Sequence, residues 1–147
     1  ICFDETDARP MGRDAAGVRG IRLEPGDRVV GAAVAENGKD LLTVTQNGYG
    51  KRTALSAYLR DGEAQNRGGK GLKNYHLTDK TGLVAGVLVV DDSDDVLVIE
   101  SSGVIIRMAA SEINTYGRDT QGVILMRVEE GNQVIALQSA EQEDEEA

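Results

Sequence analysis

The sequence is short of several residue types on which common functional sites depend. It has no Trp, one Phe, one His and one Cys among 147 residues. A single Cys2 leaves no internal disulfide, and such sparing use of cysteine suits a reducing compartment. Because zinc is usually held by several cysteine and histidine side chains, the isolated Cys2 and His76 argue against a metal centre. We therefore expect neither a metal nor a disulfide framework.

Long apolar runs are also missing. No stretch of eighteen apolar residues occurs, so the sequence predicts no membrane span, and its start does not resemble a secretory signal. Residue 1 is Ile rather than Met, from which we expect a fragment or a processed chain. The length of 147 residues suffices for one ordinary domain with a hydrophobic core.

Acidic residues outnumber basic ones by nine, yet the charge is unevenly distributed. Five of the 25 acids lie in residues 141–147, which we predict to be a disordered acidic tail. Four more cluster at residues 91–95, whereas arginines and lysines gather near glycine-rich stretches. A local concentration of positive charge matters more to a polyanion than the total does.

The chain contains an internal repeat. Three glycine-rich segments align without gaps, namely residues 11–23, 65–77 and 116–128. Each has an arginine third and a glycine seventh; these are Arg13, Arg67 and Arg118, and Gly17, Gly71 and Gly122. The glycines are 54 and 51 residues apart. We call the first seven residues of each segment a box: the first box is 11–17, the second 65–71 and the third 116–122.

Short β-prone runs fill the intervals between the boxes. We predict hairpins in which strands 41–45 and 96–99 turn at Gly48 and Gly103 into strands 49–53 and 104–108. Apolar residues 28–34 and 83–90 predict central strands buried on both faces. Helix is expected only as single turns near 54–58 and 109–113. Such units of about fifty residues predict an all-β, propeller-like array; a β-sandwich would not explain the period.

The array is expected to be incomplete, with two full units between two partial ones. Residues 1–7 align with the last strand of a preceding unit, and the third unit stops soon after residues 133–138. We therefore expect residues 1–140 to form part of a ring.

The second box is the strongest functional signal. It reads Gln-Asn-Arg-Gly-Gly-Lys-Gly from Gln65 to Gly71. Glycine allows positive φ and a close approach of the backbone to a partner. Arg67 and Lys70 are placed to reach phosphate oxygens. The structural alternative is a tight glycine turn with two solvated cations.

Together the second box and the repeat resemble the C-terminal DNA-wrapping domain of the A subunit of bacterial DNA gyrase. That family folds as a β-pinwheel and carries the box Gln-Arg-Arg-Gly-Gly-Lys-Gly, from which only Asn66 departs here. In the family the full box lies in the first blade, whereas here at least one unit precedes it. The resemblance therefore implies the C-terminal half of a pinwheel with a second, imperfect box.

The resemblance implies a non-catalytic accessory domain of an ATP-hydrolysing type IIA topoisomerase, with no cofactor of its own. Double-stranded DNA would bend around a basic rim without base readout and thereby support negative supercoiling. The implied partners are the rest of the gyrase A subunit and the gyrase B subunit in the holoenzyme. The implied location is the cytoplasm, at the nucleoid, with no membrane as a partner.

The residues expected to contact DNA lie in and around the boxes. In the second box and just after it they are Gln65, Arg67, Gly68, Gly69, Lys70, Gly71 and Lys73. Elsewhere they are Arg13, Arg19, Lys51, Arg52, Arg107 and Arg118. For Arg13 and Arg118 a local ion pair with the following Asp is the alternative. Lys51, Arg52 and Arg107 could instead protect strand edges.

Two other functions remain open from the sequence. The C-terminal domain of topoisomerase IV shares the blades but usually has a degraded box. A protein-interaction propeller would suit the negative total charge. A nucleotide-binding P-loop is disfavoured, because Val18 and Val123 occupy the position of its lysine.

Overall fold

The computed structural model describes residues 1–140, so the predicted acidic tail lies outside the described residues. Within that range the chain forms β-strands and single turns of 3₁₀ helix, and contains no α-helix. This confirms the all-β prediction. No helix in the described part is long and apolar enough to cross a bilayer.

The chain divides into two compact units. Unit 1 consists of Ile1–Arg28 and Ser56–Lys73. Unit 2 consists of Val29–Leu55 and, among the described residues, 74–140. The second box therefore belongs to unit 1, and the third box belongs to unit 2.

Regular strands are confined to unit 2. They are β1 (Asp40–Thr45), β2 (Tyr49–Ala54), β3 (Val84–Val90), β4 (Asp95–Glu100), β5 (Ile105–Ala109), β6 (Val123–Ile124) and β7 (Val134–Ala140). The 3₁₀ turns are Glu5–Asp7, Ala35–Asn37, Leu55–Tyr58 and Ala110–Glu112. Both predicted hairpins and both predicted single turns are thus confirmed.

The strands form two antiparallel sheets, ordered β3-β1-β2-β6 and β5-β4-β7. The repeat is visible in the pairing: β3 joins β1 with Asp40 opposite Val90, and β7 joins β4 with Asp95 opposite Ala140. The register shifts at the same place in each, after Val44 in β1 and after Ile99 in β4. The structure therefore confirms the sequence repeat.

The hairpin turns follow the expected chemistry. Gly48 has φ 85° and Gly103 has φ 94°, in the left-handed region that glycine adopts without strain. A Cβ on Gly48 would lie 2.0 Å from the carbonyl oxygen of Met126, so this turn also has no room for a side chain.

Residues 28–34 differ from the prediction, because they form no strand and are exposed. Val29 keeps 61% of its surface and Val34 keeps 55%. Within the sequence repeat, the strand before each hairpin pairs with the hairpin of the preceding repeat, as β3 does with β1. Among the described residues, β1 and β4 are each paired on both sides, so neither is available as a partner for residues 28–34.

The hydrophobic core lies in unit 2. Alternate side chains of the two hairpins point inward, among them Leu42 and Val44 on β1 and Val96 and Val98 on β4, all fully buried. Burying each such side chain stabilises the fold by about 1.5–3 kcal/mol. Every member of the described core cluster belongs to unit 2. Within unit 1, backbone hydrogen bonds shape the second box.

Candidate nucleic-acid interface

Backbone hydrogen bonds fix the second box within unit 1. The N–H of Gln65 donates to the carbonyl of Cys2 at 2.9 Å, at one end of the box. Farther along, the N–H of Gly68 donates to Gly20 at 2.7 Å and the carbonyl of Gly69 accepts from Arg22 at 2.8 Å. The box is thus tied to two separate stretches of the unit, which leaves its backbone little freedom.

The box glycines do not have equal roles. Gly68 and Gly71 have φ 86° and 77°, so both use the conformation that favours glycine. At Gly71 a Cβ would also lie 3.0 Å from the Cβ and the backbone nitrogen of Ile1. At Gly69 the nearest atom would be the Ile1 Cδ1 at 3.6 Å, an ordinary contact. The backbone therefore requires Gly68 and Gly71, whereas Gly69 has room for a Cβ.

Arg67 is used largely inside the unit. Its Nε donates to the carbonyl of Asp7 at 3.1 Å, and its Nη1 donates to the carbonyl of Arg19. The planar guanidinium thereby joins two backbone segments that are distant in sequence. We interpret Arg67 as a brace that shapes the box. Gln65 has a similar but weaker contact, from its Nε2 to the carbonyl of Tyr58 at 3.4 Å.

Lys70 extends into solvent. Two thirds of its side chain is exposed, and its Nζ lies 3.4 Å from the carboxylate of Glu24, which is equally exposed. Such a surface ion pair typically contributes only about 0–1 kcal/mol. The ammonium can therefore move to another anion at small cost.

Positive charge is concentrated in the unit that contains this box. Unit 1 has nine Lys and Arg against eight acids, whereas the described part of unit 2 has seven against twelve. Arg13, Arg19 and Lys73 are exposed members of unit 1, as expected of a basic surface. A polyanion would therefore meet much weaker repulsion from acidic side chains at unit 1 than at unit 2.

The third box repeats the backbone arrangement of the second. The N–H of Tyr116 donates to the carbonyl of Arg52 at 2.8 Å, the equivalent of the bond between Gln65 and Cys2. Gly122 has φ 70°, and a Cβ there would lie 2.4 Å from the carbonyl oxygen of Gly50. The two boxes are therefore anchored in the same way, although the second has two cations, Arg67 and Lys70, and the third has only Arg118.

Lys51, expected at the DNA interface, is instead wholly buried beneath the third box. Its Nζ donates to the carbonyls of Gly117 (2.9 Å) and Arg118 and to the Thr120 hydroxyl (3.1 Å). The ammonium also lies 4.7 Å from the centre of the Tyr75 ring, a cation–π distance. A side chain with no exposed surface does not reach a phosphate in this conformation, so we assign Lys51 to anchoring the third box.

The environment of this lysine perturbs its ionisation. Burial lowers the pKa of Lys51 to about 8, with Asp119 acting in the opposite direction and Arg118 adding to the decrease. Burial likewise raises the pKa of Tyr75, whose hydroxyl donates to the carbonyl of Gln121. Both side chains therefore stabilise the third box by hydrogen bonds to its backbone carbonyls.

Arg52 and Arg107 form equivalent ion pairs across the two hairpins. Arg52 Nη1 lies 3.2 Å from Asp40 and 2.5 Å from Asp92, and Arg107 Nε lies 2.9 Å from Asp95. The Arg52 side chain is only 8% exposed, so it too is assigned to the fold rather than to the interface. Arg107 keeps 41% exposure and remains a candidate, as does the half-buried Arg118.

A comparison with protein families agrees with this repeated architecture. The model described as DNA gyrase C-terminal domain, beta-propeller, matches residues 3–36, 39–91 and 94–141. The chain belongs to this family. The pinwheel prediction is thereby confirmed, together with the resemblance on which it rested.

Curated members of the gyrase family are close in sequence. The A subunit of DNA gyrase from Escherichia coli (strain K12) is 46% identical over 99% of this chain. Its counterpart from Staphylococcus epidermidis (strain ATCC 12228 / FDA PCI 1200) is 43% identical over the same share. In both cases the chain spans only 16% of the relative's length.

Solved structures show the same fold. A DNA gyrase A C-terminal domain matches with a TM-score of 0.85 and 26% identity, over 93% of this chain and 45% of that one. A C-terminal domain of DNA topoisomerase IV matches with 0.84 and 26%, over 95% and 42%. Backbone similarity alone therefore does not separate the two kinds of gyrase-like domain, whereas the family model and the curated relatives above are of gyrase.

Some contacts around the second and third boxes were not apparent from the sequence. Glu24, which pairs with Lys70, and Tyr75, which lies under Lys51, belong to no motif that marks them. One signal was available: in the aligned repeat, Lys51 occupies the position of Ile106. A lysine at an otherwise apolar position of a strand indicates an internal partner.

Proposed function

We propose that this chain binds double-stranded DNA without sequence specificity, through unit 1 and the second box, as an accessory domain of gyrase. The observation that carries the proposal is the arrangement of the box: its backbone is hydrogen-bonded to two stretches of unit 1, Arg67 donates to two backbone carbonyls, and Lys70 extends into solvent. A rigid loop that presents one exposed cation suits contact with a phosphate.

The proposed contacts are electrostatic. Lys70 supplies the central cation, and the exposed side chains of Arg13, Arg19 and Lys73 supply neighbouring positive charge within unit 1. Contacts to phosphate position a protein on the duplex but carry no base identity. Arg67 contributes by shaping the loop, and Lys51 and Arg52 contribute by stabilising unit 2.

Wrapping would require more than this box. Bending 20–30 base pairs by 40–90° costs on the order of 1–6 kcal/mol, so several blades have to contribute contacts. We propose that this chain supplies part of such a surface, with the rest of gyrase A and with gyrase B as partners at the nucleoid. Strand cleavage and ATP hydrolysis, in this proposal, lie elsewhere in the enzyme, and negative supercoiling follows from the wrapped DNA.

The alternatives predict different behaviour. A topoisomerase IV domain would also bind DNA, and the structural match to such a domain is consistent with that assignment. The well-matched second box favours gyrase. A protein-interaction propeller would show no salt-dependent affinity for duplex DNA.

Replacing Lys70 by Gln tests the proposal. Each phosphate contact contributes about 0.9 to the slope of log affinity against log salt on duplex DNA. K70Q should therefore reduce the slope by about 0.9 on two unrelated duplexes alike. The matched control is K39Q, at an exposed lysine of unit 2, which should leave the slope unchanged.

Two results would refute the assignment of Lys70. An unchanged slope in K70Q would make Lys70 a solvated turn residue. A loss of affinity on only one duplex would indicate base readout, which contact through phosphates does not produce.

A further inference from the structure

Glu24, whose carboxylate faces Lys70, begins a hydrogen-bonded turn at residues 24–27. The turn reads Glu-Pro-Gly-Asp, with proline at its second position and Gly26 at φ 85° at its third, as a type II turn requires. The N–H of Asp27 donates to the carbonyl of Glu24 at 3.0 Å. In return, the N–H of Glu24 donates to the Asp27 carboxylate at 3.3 Å.

This turn is also tied to the second box. Two residues before Glu24, the N–H of Arg22 donates to the carbonyl of Gly69 at 2.8 Å. Gly69 directly precedes Lys70 in the chain. The backbones that carry the two charged side chains are therefore joined by a hydrogen bond, and the Glu24 carboxylate lies 3.4 Å from the ammonium.

We propose that the 24–27 turn is a built-in competitor for phosphate at Lys70, an inference that rests on the proposed function. The Glu24 carboxylate occupies the space beside the ammonium where an oxygen of a DNA phosphate would bind. DNA displaces it on binding, so the turn lowers the affinity of the second box for the duplex and favours release.

The exposure of the pair sets the size of the effect. Both side chains are about two-thirds exposed, and an ion pair of this kind contributes at most about 1 kcal/mol, equivalent to about fivefold in affinity. The turn therefore adjusts DNA affinity by a small factor rather than preventing binding.

A double-mutant cycle on the full chain tests the inference. The variants are E24Q, K70Q and the pair together, with E63Q as a control for the general effect of removing an acid. Glu63 lines the same cleft as Lys70 and has the same charge as Glu24. Affinity is measured by binding isotherms on two unrelated duplexes at low and moderate salt.

We expect E24Q to raise affinity by about two- to fivefold, more than E63Q does. In the K70Q background the effect of E24Q should fall to that of E63Q, because the competitor acts through Lys70. Equal gains in E24Q and E63Q, or a gain from E24Q that persists without Lys70, would overturn the inference. The proposed function fails by a separate result, namely a salt slope that K70Q leaves unchanged.

Discussion

Replacing Lys51 by Met tests whether this lysine anchors the third box. The variant keeps a chain of similar length but removes the donor to the carbonyls of Gly117 and Arg118. Gly117 retains the Thr120 hydroxyl as a partner at 2.7 Å, so the carbonyl of Arg118 suffers the greater loss. A buried acceptor without its partner costs about 1–3 kcal/mol.

Two further effects of K51M oppose one another. Losing the cation–π contact with Tyr75 removes about 0.5–2 kcal/mol of stabilisation. Removing a buried charge, which is costly to take out of water, regains part of that stabilisation. We therefore expect K51M to lower the free energy of unfolding by about 1–3 kcal/mol near neutral pH, as measured by urea denaturation with an unchanged m-value.

The pH dependence gives a sharper test of the same contact. The pKa of Lys51 is lowered to about 8 in the folded chain, from an ordinary value of 10.5. Between these values the unfolded chain binds more protons than the native one, so the stability of the wild type should rise with pH. Tyr75, with its raised pKa, acts in the opposite direction only near and above its ordinary value of 10.0. Measurements should therefore extend from about pH 7 to about pH 9.5.

The comparison of variants decides the outcome. The excess stability of wild type over K51M should grow with pH, whereas K39M, at an exposed lysine of the same unit, should follow the wild type throughout. K51M should also keep the wild-type salt slope for DNA. Equal stability of K51M and wild type, or a difference that does not change with pH, would show that Lys51 is not held as described.

Three other changes have defined outcomes. R67A should lower both thermal stability and DNA affinity, since it frees the carbonyls of Asp7 and Arg19; affinity lost with an unchanged melting temperature would instead make Arg67 a direct phosphate contact. G122A should destabilise unit 2 by about 1–3 kcal/mol or more, because its Cβ would clash with a backbone oxygen at a position of positive φ. The control G117A, whose Cβ would have nothing within 4 Å, should have little effect in the same urea assay. Removing residues 141–147 should strengthen DNA binding with little change in melting temperature, since five acids compete with phosphate; weaker binding would contradict this.

The hairpins, the repeat and the second box could be predicted from the sequence because each depends on local chemistry. Gly48 and Gly103 fix the turns, alternating apolar residues fix the inward faces of β1 and β4, and the spacing of the boxes fixes the period. The run at residues 28–34 shows the limit of such reasoning. Its composition predicts a buried strand, but a strand requires a partner. The equivalent partner strands in the described hairpins, β1 and β4, are already paired with β3 and β7.

The sequence by itself therefore determined the blade architecture and the position of the most cation-rich loop. It did not determine which cations face solvent, and the tertiary structure decided that. Lys51 and Lys70 are both lysines near a box, yet one is enclosed by three acceptors and an aromatic ring while the other pairs loosely with Glu24 in solvent. The difference arises from contacts between residues some 25 to 70 positions apart in the chain, and pairing over such separations is set by how the blades pack rather than by local spacing.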